Sequence, residues 1–252
     1  NTRSRWFSHD VGGCFCRCRS SFISDIKCNQ DSENKVHLNN QPHKNRTGTT
    51  ILKIMETTIK IFSSIFFIGY MLAAFVWPSY RTWKQTGINP LTFGITDSAH
   101  DFVGKWFKIT IALIPVNIVL QWFDLQQHIL PLTYFEIPIL QFFGIILCLI
   151  SWIWTMIAQW QMGNSWRIGI DERNKSQFVT KGLFGISRNP IFFGMLLTLV
   201  GYLFLIPNAL SVLTLVCGYL LMQVQIRLEE EFLSKQFGES YFQYKNKVRR
   251  WI

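Results

Sequence analysis

The chain has 252 residues, of which 49% are hydrophobic and only 16% are charged, with a formal net charge of +10. A soluble domain carries about 25% charged residues, and here the apolar residues are gathered in long blocks, so the composition argues against a water-soluble protein. The basic residues lie beside those blocks and form no stripe interleaved with aromatic residues, so nucleic acid is not the expected partner.

Residues 1–54 differ from the rest of the chain, being rich in Asn, Ser, Arg and Lys and lacking any sustained apolar periodicity. Such a segment is predicted to be disordered, and it does not have the pattern of a signal peptide. Its Cys14-x-Cys16-x-Cys18 run lacks the spacing of paired zinc ligands, so no metal is expected. Because Met55 directly precedes the first apolar run, we expect the working protein to begin there, with residues 1–54 as an upstream extension.

Five apolar runs follow Met55 and predict an all-α, polytopic membrane protein. They cover residues 59–77, 102–122, 137–160, 192–206 and 210–226. A helix needs about 20 residues to cross a bilayer, so the first three runs qualify and make residues 55–160 a unit of three spans. The last two are shorter and are joined at Pro207-Asn208, which predicts a tight helical hairpin within residues 161–252. A C-terminal amphipathic helix is expected after the hairpin.

The positions of Lys and Arg predict which side of the membrane each loop faces. They are concentrated between spans one and two, between spans three and four, and after span five, whereas residues 123–136 and 207–209 contain none. Positive loops stay in the cytoplasm, so the C-terminus is predicted to be cytoplasmic and the N-terminus external. Residues 1–54 carry nine Lys or Arg and four Asp or Glu, a net charge of 9 − 4 = +5, which conflicts with an external location.

Three polar segments lie at the predicted cytoplasmic boundary of the membrane. Polar residues at this depth are energetically costly and often indicate a functional site. They are residues 177–184 before span four, residues 187–194 at its start, and residues 225–231 at the end of span five. Taken singly, each is equally consistent with an ordinary membrane boundary, with Arg188 bound to lipid phosphate and the glutamates solvated.

Hairpin geometry predicts that two of these segments meet. Asn189 suits an N-cap and Pro190 the first helical position, and the free N–H groups of such a helix start attract an anion. The two arms from the turn have equal length, 207 − 190 = 17 and 225 − 208 = 17 residues, so Gln225 returns level with Pro190. Gln225 and Glu229 share one helical face. We therefore expect a polar pocket between a helix N-terminus and a carboxylate.

Five blocks of residues follow one another in the last third of the chain. They are Met162-Gly163-Asn164-Ser165-Trp166-Arg167, Val179-Thr180-x-Gly182-x-Phe184, Arg188-Asn189-Pro190-x-Phe192-x-Gly194, Arg227-x-Glu229-Glu230-x-x-Leu233, and Phe237-Gly238-x-x-Tyr241-x-x-Tyr244-x-x-x-Val248-x-Arg250-Trp251. In this order and spacing the chain resembles the membrane methyltransferases typified by isoprenylcysteine carboxyl methyltransferase and the related phospholipid methyltransferases.

The resemblance implies that residues 161–252 are a catalytic region that binds S-adenosylmethionine and methylates a lipophilic acceptor entering from the bilayer. It implies no metal and no obligate protein partner. The cofactor contacts map onto Gln177, Phe178, Val179, Gly182, Phe184, Arg188, Asn189, Pro190, Ile191, Phe192 and Glu229. The catalytic positions map onto Glu230, Arg227 and Arg167, and the substrate-binding positions onto Gln225 and Trp166.

The chain departs from the family pattern at a few positions. Asn189 stands where many relatives have His, and Phe184 and Phe192 stand where relatives often have Tyr; the aromatic walls and a hydrogen-bonding group are kept. Prenylcysteine-specific relatives hold the substrate carboxylate with an Arg one turn before the Glu pair, where this chain has Gln225. A neutral amide lacks the bidentate grip of Arg, so we expect a different acceptor unless Arg227 or Arg167 takes that role.

Two other functions are consistent with a membrane protein of this kind. A reductase of the sterol reductase type has a related C-terminal hairpin, but it needs a nicotinamide cofactor and normally a longer chain with more spans. A lipid-binding membrane protein that has lost methyl transfer would keep the fold without the chemistry. Binding of S-adenosylmethionine or of NADPH would distinguish the three.

Overall fold

The computed structural model describes residues 44–87, 99–163 and 178–252, with side chains from Thr50 onward. Thr49–Ile252 form one compact unit; of the other, Asn1–Gly48, only the helical backbone from Lys44 is described. In these ranges the regular elements are helices, which confirms the predicted all-α fold. The α-helices are α1 (Lys44–Met71), α2 (Trp77–Thr86), α3 (Ala99–Trp122), α4 (Pro138–Met162), α5 (Pro190–Leu205), α6 (Ala209–Phe237) and α7 (Glu239–Lys247).

The first membrane segment is longer than predicted at both ends. Helix α1 begins at Lys44, upstream of the expected boundary at Met55, since residues 49–54 contain no Pro or Gly that would end it. At the other end the helix does not stop at Pro78. A π-helical stretch, Leu72–Val76, joins α1 to α2, and Pro78 lies at the start of α2, where a missing N–H is tolerated.

Within the described ranges, four helical segments are long and apolar enough to cross a membrane, and a fifth apolar helix, α5, is shorter. The four are Thr50–Thr86, Ala99–Trp122, Pro138–Met162 and Ala209–Phe237. Large apolar side chains such as Ile65, Ile139 and Phe142 are exposed on the outer faces of these helices. Apolar surface of this extent on every long helix faces lipid rather than water. The protein is therefore a multi-pass membrane protein, as predicted.

Helix α5 packs most extensively against α4, not against α6 as the predicted tight hairpin would require. Small residues make this possible, because a Cβ added at Gly201 would lie 2.5 Å from Cys148 Sγ and one at Gly194 would collide with Thr155 Oγ1. Small residues allow membrane helices to approach closely, and van der Waals contact then drives their association. The hairpin prediction placed α5 and α6 as neighbours correctly but missed that α4 is the main partner of α5.

Helix α6 follows the turn at Pro207-Asn208 and carries the predicted site residues Gln225, Arg227, Glu229 and Glu230. Asn208 caps its start by accepting a hydrogen bond from Ser211 N at 2.9 Å, and Asn117 of α3 donates to Ser211 Oγ at 2.7 Å. The helix has 29 residues, or about 43 Å of length, which exceeds the roughly 30 Å of a bilayer core. It therefore continues past the predicted span end at residue 226 and holds Gln225 and Glu229 on one rigid element.

Polar contacts tie α1 to the packed helices. Tyr202 OH donates to Ser63 O at 2.9 Å, and Gln159 Nε2 donates at 2.7 Å to Ala74 O, in the π-helical stretch. Buried backbone carbonyls need such partners where the regular helical pattern changes. These bonds hold α1 beside α4 and α5 and so define one wall of the space between α1 and α6.

Candidate functional site

The start of α5 and the end of α6 meet, as the hairpin geometry predicts. Arg188, two residues before α5, has its Nη2 atom 3.1 Å from Glu230 Oε1 on α6, and only 8% of each side chain is exposed. A buried contact between opposite charges at this distance fixes the relative position of the two segments. The residues that the sequence places on the two segments are therefore close enough to form one site.

Glu230 is held by two arginines. Arg250 donates from Nε to Oε1 at 2.9 Å and from Nη2 to Oε2 at 2.8 Å, and Arg188 approaches Oε1 from the other side. The hydrogen bond to Glu230 raises the pKa of the Arg250 guanidinium. Both carboxylate oxygens are thus committed to ion pairs. In the structure Glu230 joins the loop before α5 to the C-terminal residues, and its predicted catalytic role stays a prediction.

Glu229 and Gln225 form a hydrogen-bonded pair on α6, next to Glu230. Gln225 Nε2 donates to Glu229 Oε1 at 2.9 Å, as expected for residues four apart on a helix. A carboxylate only accepts hydrogen bonds, so the amide nitrogen faces Glu229 and the amide oxygen points elsewhere. Gln225 is only 6% exposed, and its Oε1 atom is buried without a partner. A buried acceptor without a protein partner is rare, so this atom is a candidate for contact with a ligand donor.

Arg188 was expected to contact the cofactor, but its side chain turns toward α6 and α7. Its Nη2 group binds Glu230 and its Nη1 group donates to Lys245 O at 3.4 Å. The Nε atom is buried without a partner. The Nε–H group is thus a buried donor that could reach a ligand, and the predicted cofactor contact of Arg188 stays a prediction.

Asn189 and Pro190 lie where the sequence places them, at the position before α5 and at its first residue. The Asn189 side chain, however, does not cap the helix. Its Nδ2 group donates instead to Arg250 O at 3.1 Å, because the C-terminal residues pass close to the loop. The first turn of a helix leaves N–H groups without intrahelical acceptors, and those of Ile191 and Phe192 remain available to an anion at this end of α5.

The two aromatic residues assigned to the cofactor from the loop before α5 pack on the last two helices. Phe178 stacks on Phe237 with ring centroids 4.9 Å apart and contacts Tyr244 at 5.1 Å. Tyr244 OH donates to Phe184 O at 2.6 Å. Burial raises the pKa of Tyr241 and of Tyr244 to about 12, so both phenols stay neutral and Tyr244 acts as a donor. The cluster fixes the path of residues 178–184.

The remaining predicted residues fall into three groups. Gly182 has a φ of 67° and fits against Gln161, whose Oε1 accepts a hydrogen bond from Leu183 N at 2.8 Å, so a glycine is required there. Val179, Ile191 and Phe192 are half-buried around the start of α5. Trp166, Arg167 and Gln177 lie outside the described residues.

Arg227 does not join Glu229 in the structure. It is exposed, and its Nη1 group donates to Gln223 O at 2.6 Å and to Gln223 Oε1 at 3.0 Å. Two positions along a helix turn the side chain by about 200°, so Arg227 faces away from the carboxylate. The structure thus does not bring Arg227 together with Glu229, and its predicted catalytic and carboxylate-binding role stays a prediction.

An apolar crevice lies between α1, α3, α5 and α6, on the membrane side of Gln225. Its space between atoms is about 480 Å³, counting the part open to the surroundings. The hydroxyl groups in its walls are already used, since Thr110 donates to Trp106 O at 3.0 Å and Tyr202 to Ser63 O at 2.9 Å. The crevice is thus apolar throughout, and Gly218 and Met222 of α6 form one side of it.

The sequence interpretation gave no role to Arg250, Tyr241 and Tyr244, although all three belong to the last of its five motif blocks. The spacing of the block was the signal, but only the structure shows that it folds back on residues 184–189.

Comparison with known proteins agrees with these observations. The sequence profile of the phospholipid methyltransferase family matches residues 139–240, which include α4, α5 and α6. A protein of Haemophilus influenzae, described as uncharacterized, is 36% identical over 63 residues, which are 25% of this chain and 100% of that protein. With its multi-pass helical fold and its paired acidic and helix-start segments, this membrane protein belongs to the phospholipid methyltransferase family.

Proposed function

We propose that the protein transfers a methyl group from S-adenosylmethionine to a lipophilic acceptor at the cytoplasmic face of the membrane. The observation that carries the proposal is the position of Glu229 and the unpaired Gln225 Oε1 atom beside the start of α5. Membership of a methyltransferase family gives the reaction type. The cofactor, the acceptor class and the sidedness are our inference.

The residues present match the polar groups of S-adenosylmethionine. Glu229 and Gln225 Oε1 are acceptors suited to its ammonium group or ribose hydroxyls. The N–H groups of the first turn of α5 and the buried Nε atom of Arg188 are donors suited to its carboxylate. Acceptors on α6 and donors at the start of α5 thus suit a zwitterion held between the two helices.

The reaction asks little acid–base chemistry of the protein. When bound, the cofactor supplies a methyl sulfonium, which is already an electrophile. The protein's task is to hold the acceptor's nucleophile in line and to exclude water. The proposal asks no proton removal of Glu230, whose two carboxylate oxygens are held by Arg188 and Arg250.

The apolar crevice supports a lipophilic acceptor. It lies along α6 below Gln225, and from Gly218 to Glu229 the helix rises about 16 Å. A hydrocarbon chain in the crevice would therefore place a polar end group near Glu229. The exposed basic residues at this end of the bundle, Lys245, Lys247 and Arg249, support a cytoplasmic location.

The first test is methyl transfer by the full-length protein in liposomes, with labelled S-adenosylmethionine and a total lipid extract. We expect label in an organic-soluble product and a raised melting temperature with S-adenosylmethionine but not with NADPH. Stabilisation by NADPH alone would favour a reductase of the sterol reductase type. No response to either compound would favour a lipid-binding protein without catalysis, and both results would contradict the proposal.

Gln225 gives a prediction about acceptor specificity. One N–H of its amide is used by Glu229, and a neutral amide offers a substrate carboxylate neither a positive charge nor two parallel donors. We expect the native protein to methylate a prenylcysteine analogue poorly, and Gln225→Arg to improve this activity, because Arg binds a carboxylate with two charge-assisted hydrogen bonds. Initial rates with the analogue for both proteins measure the effect. Efficient methylation of the analogue by the native protein would show that Gln225 does not select against carboxylates.

Gly218 tests the crevice as the place of the acceptor chain. A Cβ at this position would lie 2.5 Å from Leu199 Cδ1, so Gly218→Leu fills the space between α5 and α6. Overpacking costs about 1–3 kcal/mol, which corresponds to a drop of roughly 5–150-fold in activity on long-chain acceptors. Activity on a short-chain analogue should change little, and this serves as the internal control. Equal losses for both acceptors would place the chain elsewhere.

A further inference from the structure

We propose that Arg250 is a positioning residue for the cofactor site: through Glu230 it fastens the C-terminal residues 249–252, here called the tail, to the loop that precedes α5. The inference rests on the proposed function for its effect on cofactor affinity, but the fastening itself is a property of the protein alone. Nothing in the methyl-transfer chemistry requires the tail, and the family match ends at residue 240.

The tail first contacts the loop through backbone hydrogen bonds. Arg249 O accepts from Arg188 N at 2.9 Å, and Arg250 O accepts from Asn189 Nδ2 at 3.1 Å and from Ser187 Oγ at 3.3 Å. These donors come from three consecutive residues directly before α5. The tail therefore fixes the segment from which α5 begins, and with it the direction of the free N–H groups of the first turn.

The Arg250 side chain adds a second attachment. Its guanidinium makes two parallel hydrogen bonds to Glu230, at 2.9 and 2.8 Å, and Glu230 also pairs with Arg188 of the loop. Such fork-shaped pairs fix geometry as well as adding energy. Since Glu230 follows Glu229 directly on α6, the same contact holds the loop beside the carboxylate that the proposed function gives to the cofactor.

These contacts are separate from those that hold the membrane helices together. The tail touches the loop and α6, whereas α5 is packed on α4 by Gly194 and Gly201 within the bundle. Loss of the Arg250 side chain should therefore loosen the loop and the start of α5 without unfolding the bundle. Helix α7 keeps the loop nearby through Tyr244 and Phe184, so the loop becomes mobile but is not released.

The test compares Arg250→Gln with Arg249→Gln in the full-length protein. Both changes remove one positive charge from adjacent residues, but the Arg249 side chain is exposed and only its backbone carbonyl contacts the loop. Hydrogen–deuterium exchange without cofactor should rise at residues 184–192 in Arg250→Gln only, with exchange in α1, α3 and α4 unchanged. Unchanged exchange at residues 184–192, or an equal rise in both variants, would overturn the proposal.

The cofactor measurements give an independent readout. For Arg250→Gln we expect the KM for S-adenosylmethionine to rise about tenfold while kcat at saturating cofactor changes little, and Arg250→Lys should recover part of the affinity. A fall in kcat with an unchanged KM would contradict a positioning role. If the native protein does not bind S-adenosylmethionine, the proposed function fails, while the exchange experiment still decides whether Arg250 fastens the loop.

A double-mutant cycle checks that Arg250 acts through Glu230. We expect Arg250→Gln combined with Glu230→Gln to raise the exchange of residues 184–192 no more than Glu230→Gln alone, because the two side chains make one contact. Fully additive effects would mean that Arg250 acts by another route and would overturn the assignment.

Discussion

Glu229→Ala should weaken S-adenosylmethionine binding strongly while leaving the protein folded in the membrane. Among the described residues, Glu229 accepts a hydrogen bond from a neutral amide, Gln225, and is not held by an arginine as Glu230 is, so its other acceptor sites are left for a ligand. Loss of a charge-assisted hydrogen bond costs about 1.5–3 kcal/mol, a factor of roughly 10–150 in Kd. Calorimetric titration of the purified variant measures this, and its melting temperature without ligand reports on folding.

Glu231→Ala is the matched control for Glu229. Glu231 is exposed and pairs only with Lys235, one turn further along α6, at 2.6 Å. An exposed pair of this kind contributes little, so the control should bind the cofactor as the native protein does. Equal affinity of native protein and Glu229→Ala would mean that the pocket has been placed on the wrong face of α6.

Glu230→Ala should destabilise the protein, in contrast to the change at its neighbour. It leaves the buried Arg188 without a counter-charge, and removal of one partner from a buried ion pair costs about 3–5 kcal/mol. We expect about 3 kcal/mol because Arg250, with 33% of its side chain exposed, can turn toward water. For a chain of this size that is a fall of roughly 6–12 °C in the melting temperature.

A second variant separates lost charge compensation from lost packing. Glu230→Met combined with Arg188→Met replaces the buried pair with apolar side chains of similar length, and such replacements are often neutral or stabilising. The double variant should therefore recover most of the melting temperature lost in Glu230→Ala. If it is as unstable as the single variant, the cost comes from the shape of the site and not from the unpaired arginine.

The sequence was sufficient to predict the positions of the helices, which depend on long apolar runs. All five apolar helices lie where the runs predict them, because lipid requires a continuous apolar stretch and the periodic pattern reports it directly. The start of α5 at Pro190 and the shared face of Gln225 and Glu229 also follow from local rules. The predicted end of the first run at residue 77 was wrong, since a π-helical stretch lets the helix continue into α2.

The roles of Glu230, Arg188 and Arg250 depend on contacts between residues far apart in the chain. Adjacent glutamates on a helix point about 100° apart, and the sequence does not say which faces the pocket and which faces the tail. Likewise, the preference of α5 for α4 comes from Gly194 and Gly201 meeting small residues across the interface. The residue pattern of one helix does not show which other helix has the small residues that fit against it.

Helix α5 has only 16 residues, so it is about 24 Å long, roughly 6 Å less than the thickness of a bilayer's hydrocarbon core. Lipids beside a short helix compress and draw their headgroups inward. At the Pro190 end this would open a water-filled dip in the bilayer, at whose floor an incoming nucleoside and the head of a lipid could meet without either leaving its own phase.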